Sequence, residues 1–161
     1  MRSGPVIFGF DGTAAAEQAL REGAAVFAPR RALVVSVWEA GRAFEVAAQP
    51  VRAFEAPGAP LDQNDAFEVD QALYDAAQQT AERGAALARE AGLEAEAMAV
   101  ADQATVADTL VRLARELDGQ VVVVGAHTRR GLSGRLLGST SRSVVERAPC
   151  PVLVVHDGSG A

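Results

Sequence analysis

The chain has 161 residues and a formal net charge of −6, and all 15 of its basic residues are arginine. The absence of lysine excludes the Walker phosphate loop and the Schiff-base enzymes, which both require one. A single cysteine excludes a disulfide framework, no Cys or His cluster has metal-ligand spacing, and the acidic balance argues against a general nucleic-acid binder.

Along the chain, buried apolar runs alternate with amphipathic, Ala-rich segments. The run at 121–124 is four consecutive valines, which is typical of a strand buried on both faces. Residues 93–100 alternate weakly and predict a half-exposed edge strand. The strands are predicted at 6–10, 32–37, 93–100, 121–124 and 152–155, and the helices at 13–27, 67–91, 105–117 and 139–147.

This alternation predicts an α/β fold, a doubly wound parallel sheet of five strands with helices on both faces. The chain contains no internal repeat, so residues 1–161 are predicted to form one domain with its core at 4–156. Residues 39–65, which contain three prolines, are predicted to be an irregular loop. No signal peptide follows the first apolar run and no segment is long enough to span a membrane, so we expect a cytoplasmic protein without membrane contact.

One segment carries most of the positive charge. Residues 125–150 contain five arginines and one acid, a local charge of +4, whereas the rest of the chain carries −10. A positive segment on a negative protein is compatible either with a small anionic ligand or with a solvated arginine-rich loop.

The same segment begins where a buried strand ends, which is where doubly wound folds bind ligands. Gly125 has no side chain, so another backbone or a ligand can approach closely. Gly138 is followed by the hydroxyl residues 139–141 at the start of a helix, whose unpaired N–H groups and dipole favour an anion. Arg129 lies in the intervening loop and is a candidate for charge-assisted contacts.

The spacing of these residues resembles that of the universal stress proteins. The nucleotide-binding members of that family show Gly, two residues, Gly, nine residues, and then Gly followed by Ser or Thr. Here the pattern is Gly125, two residues, Thr128, nine residues, and then Gly138-Ser139. The opening strand that runs into Asp11 and the ending 148–155 also resemble the family. Thr128 replaces the second glycine, and its Cβ either crowds the ribose and phosphates or brings them a hydroxyl.

The resemblance implies the sheet order 3-2-1-4-5 of the adenine nucleotide alpha hydrolase-like fold, and an ATP site where strands one and four are neighbours. Any Mg²⁺ would be held mainly by the phosphates. The implied roles are adenine binding, the pocket floor, ribose or phosphate contacts, and phosphate binding at the helix. The residues that match these roles, in chain order, are Phe10, Asp11, Val37, Val124, Gly125, His127, Thr128, Gly138, Ser139, Thr140 and Ser141.

The function expected from this resemblance is that of a cytosolic, ATP-binding stress-response regulator. No nucleophile–base pair is visible, so we expect a binding protein, although slow ATP hydrolysis is conceivable. An alternative is a member with lost or altered nucleotide binding, such as AMP or cyclic AMP, that works through protein partners. A nucleotidyl transferase is disfavoured because residues 11–20 contain no histidine. The apolar segment 151–155 is expected at a sheet edge, where the pairing of two copies would form a homodimer.

Overall fold

The structure is a computed structural model that describes residues 2–41, 63–102, 104–126 and 137–156. Strands and helices alternate in the order predicted from the sequence. The strands are β1 (Val6–Gly9), β2 (Arg31–Trp38), β3 (Glu94–Ala101), β4 (Val121–Ala126) and β5 (Val152–His156). The helices are α1 (Ala14–Phe27), α2 (Gln63–Glu90), α3 (Val106–Glu116) and α4 (Ser139–Arg147).

The five strands form one parallel sheet in the order β3-β2-β1-β4-β5, which confirms the predicted fold class. Val6 of β1 is in register with Ala32 of β2 on one side and with Val121 of β4 on the other. The chain therefore leaves β1 toward β2 and β3, and later returns on the other side of β1 to form β4 and β5. The switch point of the fold lies between β1 and β4.

Helices cover both faces of the sheet because the central strands are apolar on both sides. Phe8 and Val34 pack in one cluster with Leu20 of α1 and Ala85 of α2. Ile7 and Val35 point to the opposite face and pack with residues of α3 and α4, among them Leu110 and Val144. Continuous apolar strands thus specify a two-sided core.

Local capping sets the limits of the helices. The Thr13 hydroxyl accepts a hydrogen bond from the Ala16 N–H at the start of α1, and the Thr105 hydroxyl accepts one from Asp108 at the start of α3. After α2, Gly92 adopts a left-handed φ of 93°, as predicted for a residue that ends a helix.

The predicted start of the second helix was wrong by one turn. Helix α2 begins at Gln63 and not near Phe67, so residues 63–65 belong to the helix and not to an irregular loop. Pro60 is the last helix-breaking residue before this point, and Asp65 in the first turn interacts favourably with the helix dipole. The remainder of the predicted loop, residues 42–62, lies outside the described residues.

Candidate functional site

The candidate site lies at the carboxyl end of the sheet, at the switch point. Because β1 and β4 are parallel neighbours, the loops that follow them emerge side by side. Asp11 follows β1, and Gly125 and Ala126 end β4. The structure therefore brings together two of the segments that the sequence analysis assigned to one crevice.

The loop between β1 and α1 is held by a chain of hydrogen bonds. The Phe10 N–H donates to the Val35 carbonyl at 2.8 Å and so extends the pairing of β1 with β2. Asp11 Oδ1 accepts hydrogen bonds from the Thr13 N–H at 3.0 Å and from Thr13 Oγ1 at 2.6 Å. Asp11 is exposed, so its carboxylate both orders the turn and faces solvent at the crevice.

Arg83 of α2 also contacts this loop, and the sequence analysis did not identify it. Its Nη2 donates to the Gly12 carbonyl at 3.0 Å, and its Cζ lies 5.9 Å from the centre of the Phe10 ring. The available signal was the neighbouring Gly84, an isolated glycine inside a helix. A Cβ at Gly84 would lie 2.7 Å from the Phe10 ring, which shows how closely α2 approaches the loop.

Gly125 is required by the packing of the protein itself. A Cβ at this position would lie 2.5 Å from the backbone oxygen of Ala15 and 3.0 Å from the nitrogen of Ala16. The sequence left open whether a backbone or a ligand approaches Gly125, and in the structure the first turn of α1 does so. This contact sets the end of β4 directly beside the start of α1.

The start of α4 has the features of an anion site. Gly138 is the N-cap residue and makes no side-chain capping hydrogen bond, so the first N–H groups of α4 are not capped by it. Gly138, Ser139 and Thr140 are exposed. A Cβ at Gly138 would have no atom of the described residues within 4 Å, so packing there does not account for a glycine.

Ser141 differs from the two hydroxyl residues before it. Its side chain is buried, and its Oγ donates to the Gly125 carbonyl at 3.1 Å. This hydrogen bond fixes the start of α4 against the end of β4. The exposed hydroxyls of Ser139 and Thr140 are therefore the ones presented to solvent beside the crevice.

The remaining predicted site residues fall into two groups. Phe10 and Val124 are buried core residues, with 3% and 4% of their surface exposed, and Val37 packs against the cluster that contains Val124. Phe10 lies on the face of the sheet that α1 and α2 cover, whereas Val124 and Val37 lie on the opposite face. The other group, His127, Thr128 and Arg129, lies outside the described residues.

Two arginines of the positive segment form ion pairs within the protein. Arg147, in the last turn of α4, forms an ion pair with Asp108 of α3. Two hydrogen bonds to the Asp108 carboxylate hold its pKa below the ordinary value. The bond from the Thr105 hydroxyl has the larger effect, and the bond from Arg147 has the second largest. Arg142 Nε lies 3.9 Å from Glu146 Oε1 on the surface of the same helix. Both arginines therefore contribute to helix contacts.

Within the described ranges of the chain, none of the helices combines the length and the apolar character that crossing a membrane requires. No group of three or more His, Cys, Asp or Glu residues in those ranges could hold a metal ion.

The sheet order and the position of the crevice define the class of protein. This is a doubly wound α/β protein with the adenine nucleotide alpha hydrolase-like fold and an exposed helix N-terminus at its switch point. The model of the universal stress protein family matches residues 3–156. The chain belongs to that family.

Individual relatives are more distant. A universal stress protein of Mycobacterium tuberculosis is 48% identical over 42 residues, which are 26% of this chain and 14% of that relative. The aligned segment therefore spans about a seventh of the length of the curated relatives it matches.

Solved structures match over almost the whole chain. A universal stress protein from Archaeoglobus fulgidus in complex with dAMP is 20% identical, with a TM-score of 0.58, and the match covers 96% of this chain and 99% of that one. A universal stress protein in complex with cAMP is 22% identical, with a TM-score of 0.57 and coverages of 97% and 99%. An Arabidopsis thaliana family member with AMP bound is 16% identical, with a TM-score of 0.59 and coverages of 98% and 94%.

Proposed function

We propose that this protein binds an adenine nucleotide, ATP in the first instance, at the switch point between β1 and β4 and acts as a nucleotide-dependent stress-response regulator. The observation that carries the proposal is the start of α4, where the N-cap residue Gly138 makes no side-chain capping bond and two exposed hydroxyls lie beside the crevice. Backbone donors, hydroxyls and the helix dipole together favour a phosphate.

The Asp11 side of the crevice supports the adenine part of the proposal. The carboxylate of Asp11 is an acceptor, and adenine presents an amino group that donates. Val37, near the end of β2, is only partly buried and offers apolar surface to a planar base. Family relatives with bound dAMP, cAMP and AMP make an adenine nucleotide the first ligand to test.

Isothermal titration of the protein with ATP, AMP and cAMP tests this proposal. The double variant Ser139→Ala with Thr140→Ala should bind the preferred nucleotide roughly tenfold more weakly, since two exposed hydroxyl hydrogen bonds at about 0.7 kcal/mol each, within the net range of about 0.5–1.5 kcal/mol, sum to about 1.4 kcal/mol. Ser143→Ala, one turn further along α4, is the matched control and should bind normally. No heat and no thermal shift with any of the three nucleotides would overturn the proposal.

A second candidate is a member that prefers AMP or cyclic AMP and acts through protein partners. Thr128, which stands in place of the second motif glycine, favours it. Replacing Thr128 with Gly separates the two candidates. If Thr128 limits ATP binding, the Thr128→Gly variant gains affinity for ATP relative to AMP, whereas an unchanged ratio removes the reason for the second candidate.

We further propose that the protein works in the cytoplasm as a binder and not as a dedicated catalyst. The exposed groups at the start of α4 are hydroxyls and N–H donors, which suit phosphate binding more than proton transfer. Incubation with Mg²⁺ and ATP should release phosphate no faster than a slow background. Rapid turnover would contradict this part of the proposal.

We also propose a homodimer that pairs through the edge strand β5, within residues 151–155. The two sheet edges differ in a way that supports this. On β3, the Ala99 N–H donates to Gln78 Oε1 at 3.3 Å, and the Ala95 carbonyl accepts from Arg89 Nε at 2.8 Å. Side chains of α2 thus occupy outward backbone groups of β3 and hinder strand addition there. Ultracentrifugation at micromolar concentration should show a dimer, and a monomer alone would overturn this assignment.

A further inference from the structure

Arg83, in the second half of α2, makes two contacts with the segment that links β1 to α1 and a third with Glu17 of α1. Its Nη2 donates to the Gly12 carbonyl at 3.0 Å. The same nitrogen lies 4.0 Å from Glu17 Oε1, in the first turn of α1. Its guanidinium lies over the Phe10 ring, 5.9 Å from Cζ to the ring centre.

The loop that Arg83 contacts has an unusual backbone conformation. Gly12 adopts a φ of 79°, in the left-handed region that favours glycine. This conformation points the Gly12 carbonyl toward α2, where Arg83 meets it. Thr80 lies close by, since its Cγ2 would be 3.5 Å from a Cβ built on Gly12. One side of α2 therefore cradles the turn.

Asp11 lies between two of the residues that Arg83 contacts, Phe10 and Gly12. Phe10 before it is buried under the guanidinium, and Gly12 after it is hydrogen-bonded to the guanidinium. Thr13 holds the exposed Asp11 carboxylate directly, and Arg83 holds the backbone on either side of Asp11, so the direction of the carboxylate depends on both. The side chain of Arg83 is itself 57% exposed, so solvent screens its charge and its geometry is what matters.

We propose that Arg83 is the positioning residue that orients Asp11 toward the base and so sets the preference for adenine over guanine. This inference rests on the proposed function. A carboxylate accepts a hydrogen bond from the amino group of adenine but faces the O6 acceptor of guanine at the equivalent edge. Discrimination between adenine and guanine therefore requires Asp11 to be held in place. A more mobile turn would lose this discrimination.

An arginine suits this role better than a lysine. The planar guanidinium can donate to Gly12, lie beside Glu17 and face the Phe10 ring at the same time. The ammonium of a lysine can retain the hydrogen bond to Gly12 but has no plane to lay over the ring. Arg83→Lys should therefore restore part of what Arg83→Met removes.

The matched control is Arg21 on α1. It pairs with the same glutamate, Arg21 Nη2 lying 3.5 Å from Glu17 Oε2, and its side chain is 60% exposed. Arg83→Met and Arg21→Met thus each remove one exposed arginine partner of Glu17. Only Arg83→Met also removes the contacts with Gly12 and Phe10.

The experiment combines hydrogen exchange of the ligand-free variants with the ratio of GTP to ATP dissociation constants. In Arg83→Met, amides 11–16 should exchange faster than in wild type, and the ratio should fall about fivefold, as expected for losing a partly exposed hydrogen bond. Arg21→Met should match wild type in both measurements, and Arg83→Lys should lie between. A merely structural role of Arg83 would weaken the binding of ATP and GTP equally and leave the ratio of their dissociation constants unchanged.

Two outcomes overturn the inference, and they differ from failure of the proposed function. Unchanged exchange in Arg83→Met shows that Arg83 does not order the turn, and an unchanged ratio shows that the turn does not set base preference. If wild type binds none of ATP, AMP, cAMP and GTP, the proposed function fails together with the role in base preference. Faster exchange in the Arg83→Met variant would then still support the ordering of the turn by Arg83.

Discussion

At the scale of single residues, the two motif glycines Gly125 and Gly138 do different things. A Cβ at Gly125 would collide with the backbone of α1, whereas a Cβ at Gly138 would meet no atom of the described residues. Gly125 is therefore required by the fold. Among the described residues, the space beside Gly138 is open and Gly138 supplies no side-chain cap, and under the proposed function a phosphate would use that space.

Replacing Gly125 with alanine should destabilise the protein by about 2 kcal/mol or more, because the Ala15 backbone cannot move aside without displacing α1. The free energy of unfolding in urea measures this effect. Gly138→Ala is the control, and we expect it to cost less than about 1 kcal/mol, since φ at Gly138 is −60° and its surroundings are open. Equal losses in the two variants would contradict the assignment.

The sequence predicts residues beside the crevice better than it predicts the residues that hold them in place, such as Arg83. The positions of Asp11, Gly125 and Gly138 follow from where strands and helices begin and end, and those limits are visible as changes in apolar pattern and turn chemistry. Arg83 is 71 positions from Gly12 and joins it only because α2 packs on β2 and β3 beside α1. No local pattern encodes such a contact.

At the scale of elements, α4 is attached at both ends. The Ser141 hydroxyl fixes its start to the Gly125 carbonyl, and Arg147 pairs its last turn with Asp108 of α3. The sequence placed Arg147 in a positive segment with a possible anionic ligand. The structure assigns it to a contact between helices, because the last turn of α4 lies against the start of α3.

The ion pair between α3 and α4 predicts a pH dependence of stability. The pKa of Asp108 is lowered in the folded state, first by the Thr105 hydroxyl and then by Arg147. A lowered folded pKa stabilises the protein above the ordinary aspartate pKa of about 3.9, and that contribution is lost as pH falls through the folded value. In Arg147→Met, the pKa of Asp108 moves back toward its ordinary value, so less stability depends on its ionisation.

Thermal unfolding between neutral pH and pH 3 provides the measurement. The difference in Tm between wild type and Arg147→Met should be largest near neutrality and should shrink as Asp108 becomes protonated. Arg142→Met is the control, since Arg142 lies 3.9 Å from Glu146 in an exposed pair within α4. A difference that stays constant with pH would show that Arg147 acts through packing alone.

At the scale of the whole molecule, the two edges of the sheet are unequal. Helix α2 supplies side chains that occupy the outer backbone of β3, whereas β5 lies at the opposite edge. The Pro151 carbonyl accepts a hydrogen bond from the Val122 N–H, so the backbone of Pro151 faces β4. Because neighbouring residues of a parallel strand alternate in direction, the Val154 N–H points away from β4 and toward any second copy.

Replacing Val154 with proline should therefore abolish the proposed dimer while leaving the bonds between β4 and β5 in place. Sedimentation of wild type and variant at the same micromolar concentration measures the change. Circular dichroism confirms that the variant is folded, and Gln78→Ala, which frees part of the opposite edge, is the comparison. A folded Val154→Pro variant that remains dimeric would place the interface elsewhere.

The sequence by itself determined the α/β class, the alternation of elements and the family, because apolar runs, turn residues and the glycine spacing are local features. It also located the carboxyl ends of the strands, since each run ends at a residue such as Asp11 or Gly125. The start of α2 was less well determined, because the weakly apolar residues after Pro60 fit a loop and a helix equally well.

Only the tertiary structure decided which groups meet. Packing set the Ala15 backbone against Gly125, buried the Ser141 hydroxyl against the end of β4 and brought Arg83 over the turn that contains Asp11. These contacts join residues far apart in the chain, and their energies depend on distances of a few ångströms. Residue types and spacing suffice to predict the elements, whereas contacts between elements depend on how the helices pack on the sheet.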